Sequence, residues 1–382
     1  MRKLWRAIGH DTRWVMYSYM LWGVGEGLWM FIQPLYVRSL GATPEETGFT
    51  IGMWGLARLL FILPAGYLAD RLPARRLLIP GWGLGLIGVV IIALAPDWRW
   101  AAPGFFVYGL SSAAIPITNL YLTQSLRHDQ TRHPELPLQA SLTLLWAAYS
   151  AGLVVSPLIG GAIGDAINLR AVFLVSVFWF VLSTLAILQT HPYPATERPP
   201  NGHDYRSLLR RPVIVAFGLM TLGFIAVLVG QPLVSQYLEE EHHFSRTALG
   251  AFGSVNALGT LVFSLALGRL SAWHGFFVSL LLVMLSFVMM IISGAWLVVI
   301  PANFLLGAYY ASRPLAVSVI STRVPDHQHG IAYALVDTLA GLATVIGTNT
   351  AGLLYGHDPV WPFAAGIIGV IGVVVLGASV KR

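Results

Sequence analysis

The sequence predicts an all-α integral membrane protein of twelve transmembrane helices, arranged as two pseudo-symmetric six-helix bundles with both ends of the chain in the cytoplasm. Three observations carry that prediction: a composition too apolar for a soluble core, twelve apolar runs of spanning length, and a repeat relating the first six runs to the last six. Of 382 residues, 56% are hydrophobic and 10% charged, whereas ordinary soluble domains are ~25% charged. At ~20 apolar residues per spanning helix, the chain can supply ten to twelve spans. Soluble enzymes, nucleic-acid binders and disulfide scaffolds are excluded at this step. The chain has no cysteine, which removes disulfides, thiol chemistry and Cys-ligated metals. No cofactor or metal is expected.

The first residues, Met1 to Arg13, are basic and amphipathic. The apolar run after them carries a glutamate and no small-residue cleavage site, so it reads as a first spanning helix and not as a removed signal peptide. Apolar runs bounded by charge, Gly and Pro fall at about 14–37, 48–68, 76–94, 101–122, 138–163 and 169–188. The second half supplies 213–238, 247–270, 275–293, 295–317, 331–355 and 361–379, with only Ser293-Gly294 between spans 9 and 10. Of 23 Lys and Arg, 17 fall on the side of the N-terminus and four on the other, namely Arg38, Arg99, Arg170 and Arg246. That asymmetry fixes an even number of spans with both ends inside, and it accounts for the +6 net charge without an acidic or nucleic-acid partner. A polar, proline-rich stretch then divides the chain into an N-terminal bundle 1–189, a cytoplasmic linker 190–212 and a C-terminal bundle 213–382.

The halves repeat each other at nearly constant offset. Gln33-Pro34-Leu35 recurs as Gln231-Pro232-Leu233; Gly48 and Gly66 of span 2 match Gly250 and Gly268 of span 8, with Ser254 in place of Gly52; Gly109 and Pro116 match Gly307 and Pro314. The offset is 198 before the Glu239-Glu240-Glu241-His242-His243 loop and 202 just after it, so that loop reads as a small insertion. Parallel six-helix repeats with a midplane site between them are the architecture of a rocking transporter.

The loop after span 2 reads Gly66-Tyr67-Leu68-Ala69-Asp70-Arg71-Leu72-Pro73-Ala74-Arg75-Arg76. It resembles the signature loop of the major facilitator superfamily, with Pro73 where the family usually has Gly, and the resemblance extends over the whole chain. It implies that Asp70, Arg71, Arg75 and Arg76 form a cytoplasmic gate, latched in the outward-open state by charge-assisted hydrogen bonds. A second match, Gly152-Leu153-Val154-Val155-Ser156-Pro157-Leu158-Ile159-Gly160-Gly161 in span 5, resembles a motif of the superfamily's drug-exporting antiporters. Its small residues Gly152, Gly160 and Gly161 suit close helix packing, and Pro157 a kink. One departure stands out: proton-linked exporters usually carry an Arg in span 4, and here the position is Phe105.

Ionisable residues at membrane depth cost ~2.5–3.5 kcal/mol to insert and so point to function. Glu26 and Arg58 both lie about twelve residues from the cytoplasmic ends of their spans, ~18 Å deep, and are expected to pair. Arg313 and Asp337 lie at matching depth in spans 10 and 11 and are expected to form a second pair. Each is a candidate for proton coupling or substrate binding. Structural ion pairing is the alternative, and a carboxylate against an arginine resists protonation. All eleven histidines fall in loops or at span ends, which argues against a histidine relay.

Polar and aromatic stripes at helical spacing complete the expected cavity, since lipid cannot satisfy polar groups. They are Trp22, Glu26, Trp29 and Gln33 on span 1; Tyr108, Ser112 and Asn119 on span 4; Trp146 and Tyr149 on span 5; Gln231 on span 7; Asn256 on span 8; and Tyr310 on span 10. The superfamily resemblance implies that spans 1, 4, 7 and 10 line the central cavity.

The reading that follows is a secondary active transporter in the plasma (inner) membrane, a monomer surrounded by lipid. It moves a small organic or amphipathic solute by alternating access, as an exporter coupled to protons. A sugar or organic-anion facilitator or symporter is the alternative, and a lipid or glycolipid flippase ranks below it. No convergent nucleophile and base suggest an enzyme, and no G-x-x-x-x-G-K-[ST] stretch suggests ATP drive.

Overall fold

The computed structural model describes residues 8–69, 71–130, 138–193, 208–325 and 328–380. These form twelve helical rods. The first half comprises α1 (His10–Met30, continued by Gln33–Ser39), α2 (Pro44–Ala69), α3 (Ala74–Leu94), α4 (Trp98–Leu110 and Ala114–Gln130), α5 (Leu138–Ala166) and α6 (Leu169–Leu188). The second comprises α7 (Arg211–Gly230 and Val234–Glu240), α8 (Arg246–Leu267), α9 (Ala272–Ile292), α10 (Trp296–Leu306 and Ala308–Ser321), α11 (His329–His357) and α12 (Trp361–Val380). Ten are long and apolar enough to cross a membrane by length and composition. The other two are α1, which is diluted by Trp, Tyr and Glu26, and α10, which is interrupted at Gly307.

Short polar punctuation sets the rod ends. Thr43 and Glu46 make a reciprocal capping box before α2, with Thr43 N–H donating to Glu46 Oε2 at 2.8 Å and Glu46 N–H to Thr43 Oγ1 at 3.3 Å. Asp97, Asn168 and Ser245 cap α4, α6 and α8 through their side-chain oxygens. Only residues 293–295 separate α9 from α10, at the Ser293-Gly294 punctuation.

The internal repeat emerges as paired helix breaks. α1 breaks before Gln33-Pro34 and α7 breaks at Gln231-Pro232, because proline lacks the N–H and its ring opposes the preceding turn. α4 passes through a 3-10 turn at Ser111–Ala113, just after Gly109, and α10 breaks at Gly307. Each of these glycines admits a neighbouring backbone: Gly109 meets Trp54 and Ala57 of α2, and Gly307 meets Asn256, Gly259 and Thr260 of α8. Those partners are themselves related by the repeat.

The two halves meet along two seams, α2 against α11 and α5 against α8. On α2, Gly48 lies against Thr348 and Gly352, Gly52 against Thr348 and Asn349, and Gly55 against Gly341 and Thr344. On the other seam Gly161 lies against Arg246 and Gly250, and Gly253 against Phe31 and Pro157. All of these contacts lie between the side opposite the termini and the middle of the rods. Towards the terminal side, a side chain at Gly66 would meet nothing within 4 Å. The buried apolar residues divide the same way. One cluster runs through both halves, whereas Met16, Leu78, Trp82, Tyr121 and Leu126 belong to a cluster confined to the first half. The rods therefore converge on one side and part on the side that the arginine distribution assigns to the cytoplasm.

Candidate functional site

Glu26 is 5% exposed, at the middle of α1. Its carboxylate accepts a hydrogen bond from the Tyr149 hydroxyl of α5 at 2.6 Å. Aromatic rings form its walls. Trp22 lies parallel to Tyr108 with centroids 6.2 Å apart, and Tyr149 meets Tyr19 and Trp146 edge-on at 6.1 and 5.9 Å. Among the described residues, no Lys, Arg or His forms a salt bridge with Glu26. Across the interior, Gln231 of α7 donates to the Tyr310 hydroxyl of α10 at 3.5 Å.

The expected Glu26–Arg58 pair is not formed. Arg58 lies on the helical stripe of Gly48, Gly52 and Gly55, the face that α2 turns towards α11. It therefore donates to Asp337 Oδ1 at 3.1 Å, across the two halves. The expected Arg313–Asp337 contact is present, with Arg313 donating to the same oxygen at 2.5 Å. One carboxylate thus serves two guanidiniums, and three of the four intramembrane charges form a single cluster apart from Glu26.

Several expected wall residues lie elsewhere. Trp29 is fully buried inside the first half, stacked on Phe173 with centroids 5.3 Å apart. Gln33 is buried at the helix break, at 8% exposure. Asn256 donates to the Asn303 backbone carbonyl, fastening α8 to α10. Ser112 accepts from Trp54 Nε1 at 3.0 Å, and Asn119 is half-buried on the terminal stretch of α4. Trp29, Gln33 and Asn256 satisfy packing inside one half because α1 and α8 each bury more than one face.

Asp70 lies outside the described residues. Among the described residues, Arg71 stacks over the Tyr67 ring at 3.6 Å and Arg75 donates to the Leu188 carbonyl at 3.1 Å, both contacts within the first half, and Arg76 is exposed. The span 5 glycines act in two directions. Gly152 and Gly160 admit the α1 backbone at Gly23 and Leu28, Gly161 admits α8, and Pro157 sits against Gly250 and Gly253.

Sequence reasoning passed over a polar clasp on the converged side. Arg38 pairs with Glu240 of the other half, and Glu240 also accepts from Tyr355 at 2.8 Å. Asp165, at the end of α5, accepts from the backbone N–H of Arg246 and Thr247 at 3.1 and 2.7 Å and from the Thr247 hydroxyl at 2.7 Å. It caps α8 from the opposite half. Arg246 adds contacts to Glu239 and to the Gly164 carbonyl. A signal was available, since Arg38 and Arg246 are two of only four basic residues assigned to that side. The acidic loop read as a mere insertion supplies their partners.

Two related six-helix sets, meeting along glycine seams around intramembrane charges, define a membrane carrier. The family model of the Major Facilitator Superfamily matches residues 15–237 and 230–380, and the chain belongs to that superfamily. It is 26% identical over 390 residues to the class B tetracycline resistance protein of Escherichia coli, covering 94% of this chain and 92% of that one. It is 25% identical over 268 residues to the multidrug resistance protein MdtG of Yersinia enterocolitica, covering 65% and 62%. Among solved structures, the nucleoside transporter NupG superposes with a TM-score of 0.78 at 12% identity, covering 97% and 98%. The protein is a multi-pass membrane transporter of small molecules.

Proposed function

We propose that the chain is a proton-coupled exporter of a small organic or amphipathic solute, working by alternating access. The observation that carries this reading is Glu26, a buried carboxylate held by the neutral Tyr149 hydroxyl and without a salt-bridge partner among the described residues. A buried charge needs compensation. A proton or the positive end of a solute can supply it, and the two exclude each other at one carboxylate. That exclusion is the physical core of antiport. Bundles 1–189 and 213–382 would rock as bodies about the seams, joined by the linker 190–212. The present arrangement, closed at the Arg38–Glu240 clasp and parted at the opposite side, is then the inward-facing state in which an exporter loads from the cytoplasm. The tetracycline and multidrug resistance relatives support the outward direction.

The test is solute accumulation in inverted membrane vesicles energised with an acid interior, screened with cationic and neutral drugs. Wild type is expected to accumulate solute until a protonophore collapses the gradient, and Glu26→Gln, which lacks the charge that proton and solute share, to bind cationic solutes more weakly and not to accumulate them. Gradient-driven accumulation that persists in Glu26→Gln overturns the reading. One observation favours a second reading, a facilitator for organic anions: Asp337 is shared by Arg58 and Arg313, which leaves that cluster net positive. Downhill anion flux indifferent to the gradient and abolished in Arg313→Gln would identify it.

A further inference from the structure

We infer that His10, Asp11 and His191 form a binding site for a first-row divalent cation such as Zn2+, on the terminal side of the first six helices and apart from the transport path. His10 and Asp11 open α1, and His191 follows α6 where the chain leaves the bundle. Both imidazoles direct Nδ1 at the same oxygen, Asp11 Oδ1, at 3.3 and 2.9 Å. The three donor atoms all lie within 4.8 Å of one another. In a tetrahedral site with Zn–N and Zn–O distances of about 2.0–2.1 Å, neighbouring ligand atoms stand about 3.4 Å apart, so small rotations of the two rings would admit an ion.

The surroundings are those of a supported site. Asp11 is 7% exposed and fixed in place, since its Oδ1 also accepts the His191 backbone N–H at 3.1 Å and its Oδ2 accepts the Tyr193 hydroxyl at 2.7 Å. An outer hydrogen bond of that kind orients a ligating carboxylate. Trp14 Nε1 donates to His10 Nε2 at 2.9 Å, a bond the ring gives up when Nδ1 takes an ion, because the proton then moves to Nε2. Both ring Nδ1 atoms and the His191 backbone N–H thus meet on Oδ1, and a divalent ion would take the place of the two ring contacts. The His10 and His191 side chains are 56% and 69% exposed, which gives an ion an entry path from solvent. Two imidazoles and one carboxylate suit Zn2+, Ni2+ or Co2+ rather than Ca2+ or Mg2+, which take oxygen ligands. The absence of cysteine removes thiolates as competing ligands.

The experiment uses the full chain purified in detergent with any affinity tag removed. Zinc binding is measured by competition with a chromophoric chelator and by metal content after dialysis. One bound Zn2+ per chain is expected, weakened at least tenfold in His10→Ala and in His191→Ala and about tenfold in Tyr193→Phe. Added Zn2+ should raise the melting temperature of wild type but not of either histidine variant. His242→Ala/His243→Ala, in the other adjacent histidine pair, should bind as wild type does. Zinc affinity unchanged in His10→Ala and His191→Ala, or binding lost only in His242→Ala/His243→Ala, overturns the inference and leaves the cluster as a hydrogen-bonded clamp. Both altered rings are exposed, so the variants are expected to fold, and their melting temperatures without metal check this.

Discussion

Arg58 and Asp337 join the two halves of the transporter at 3.1 Å, next to Gly55 and Gly341, where α2 and α11 touch backbone to backbone. The pair marks the level at which the halves stop converging, because beyond it a side chain at Gly66 would find no neighbour. Asp337 also takes Arg313 from its own half. Opening the converged side therefore separates Arg58 from its partner while leaving Asp337 compensated.

That geometry predicts an asymmetric mutant series. Asp337→Asn leaves two guanidiniums facing each other and should lower the unfolding free energy by about 1–3 kcal/mol, below the 3–5 kcal/mol of a fully buried broken pair because Asp337 is partly exposed. Arg58→Gln should cost less. A double-mutant cycle on thermal unfolding should return a coupling near 1 kcal/mol, and strict additivity would show that the contact does not hold the halves together.

The span 5 glycines should separate packing from gating. Gly160→Ala drives a methyl group into the Leu28 carbonyl of its own half, whereas Gly161→Ala drives one into Arg246 of the other. Overpacking costs about 1–3 kcal/mol. The first variant is expected to melt at lower temperature. The second is expected to hold the converged side apart, with faster labelling of a cysteine introduced there. The chain has no cysteine of its own, so such labelling needs no background substitutions.

Asp165→Ala removes a helix cap supplied across the interface, a loss of about 1 kcal/mol that falls only on the converged state. Distances between spin labels on that side should broaden towards longer values, and labels on the terminal side should move closer. Ser245→Ala removes the cap that α8 makes for itself and serves as the comparison. It should lower stability without shifting either distance.

Tyr149→Phe deletes the 2.6 Å hydrogen bond to Glu26. Hydrogen bonds to charged groups contribute about 1.5–3 kcal/mol, so exchange driven by a proton gradient should slow at least tenfold. Tyr19→Phe, whose ring meets Tyr149 edge-on, leaves the Tyr149–Glu26 hydrogen bond in place and should retain transport.

Much of the fold was legible because lipid enforces it. A spanning helix must be long and apolar, and its ends must carry polar or basic residues, so spans such as 76–94 and 169–188 fall almost where α3 and α6 lie. The repeat was legible because proline and glycine act on the backbone locally. Gln33-Pro34 and Gln231-Pro232 break α1 and α7 wherever the rest of the chain goes.

Partner choice was not legible. Depth along a span follows from counting residues, and that count alone led to the expected Glu26–Arg58 pair. Which neighbour a side chain meets depends on the rotation of its rod, and that is decided by how small residues on one rod fit the backbone of another. Gly48, Gly52 and Gly55 turn Arg58 to α11, and Gly23, Gly27 and Gly152 bring α5, and with it Tyr149, onto α1 beside Glu26. The sequence by itself determined twelve helices, their breaks, the doubling of the unit and the residues whose charge must be compensated inside the membrane. Only the tertiary structure decided which charges meet and which side of the molecule is clasped. Those outcomes depend on contacts between residues as far apart in the chain as Arg38 and Glu240, and no local pattern encodes them.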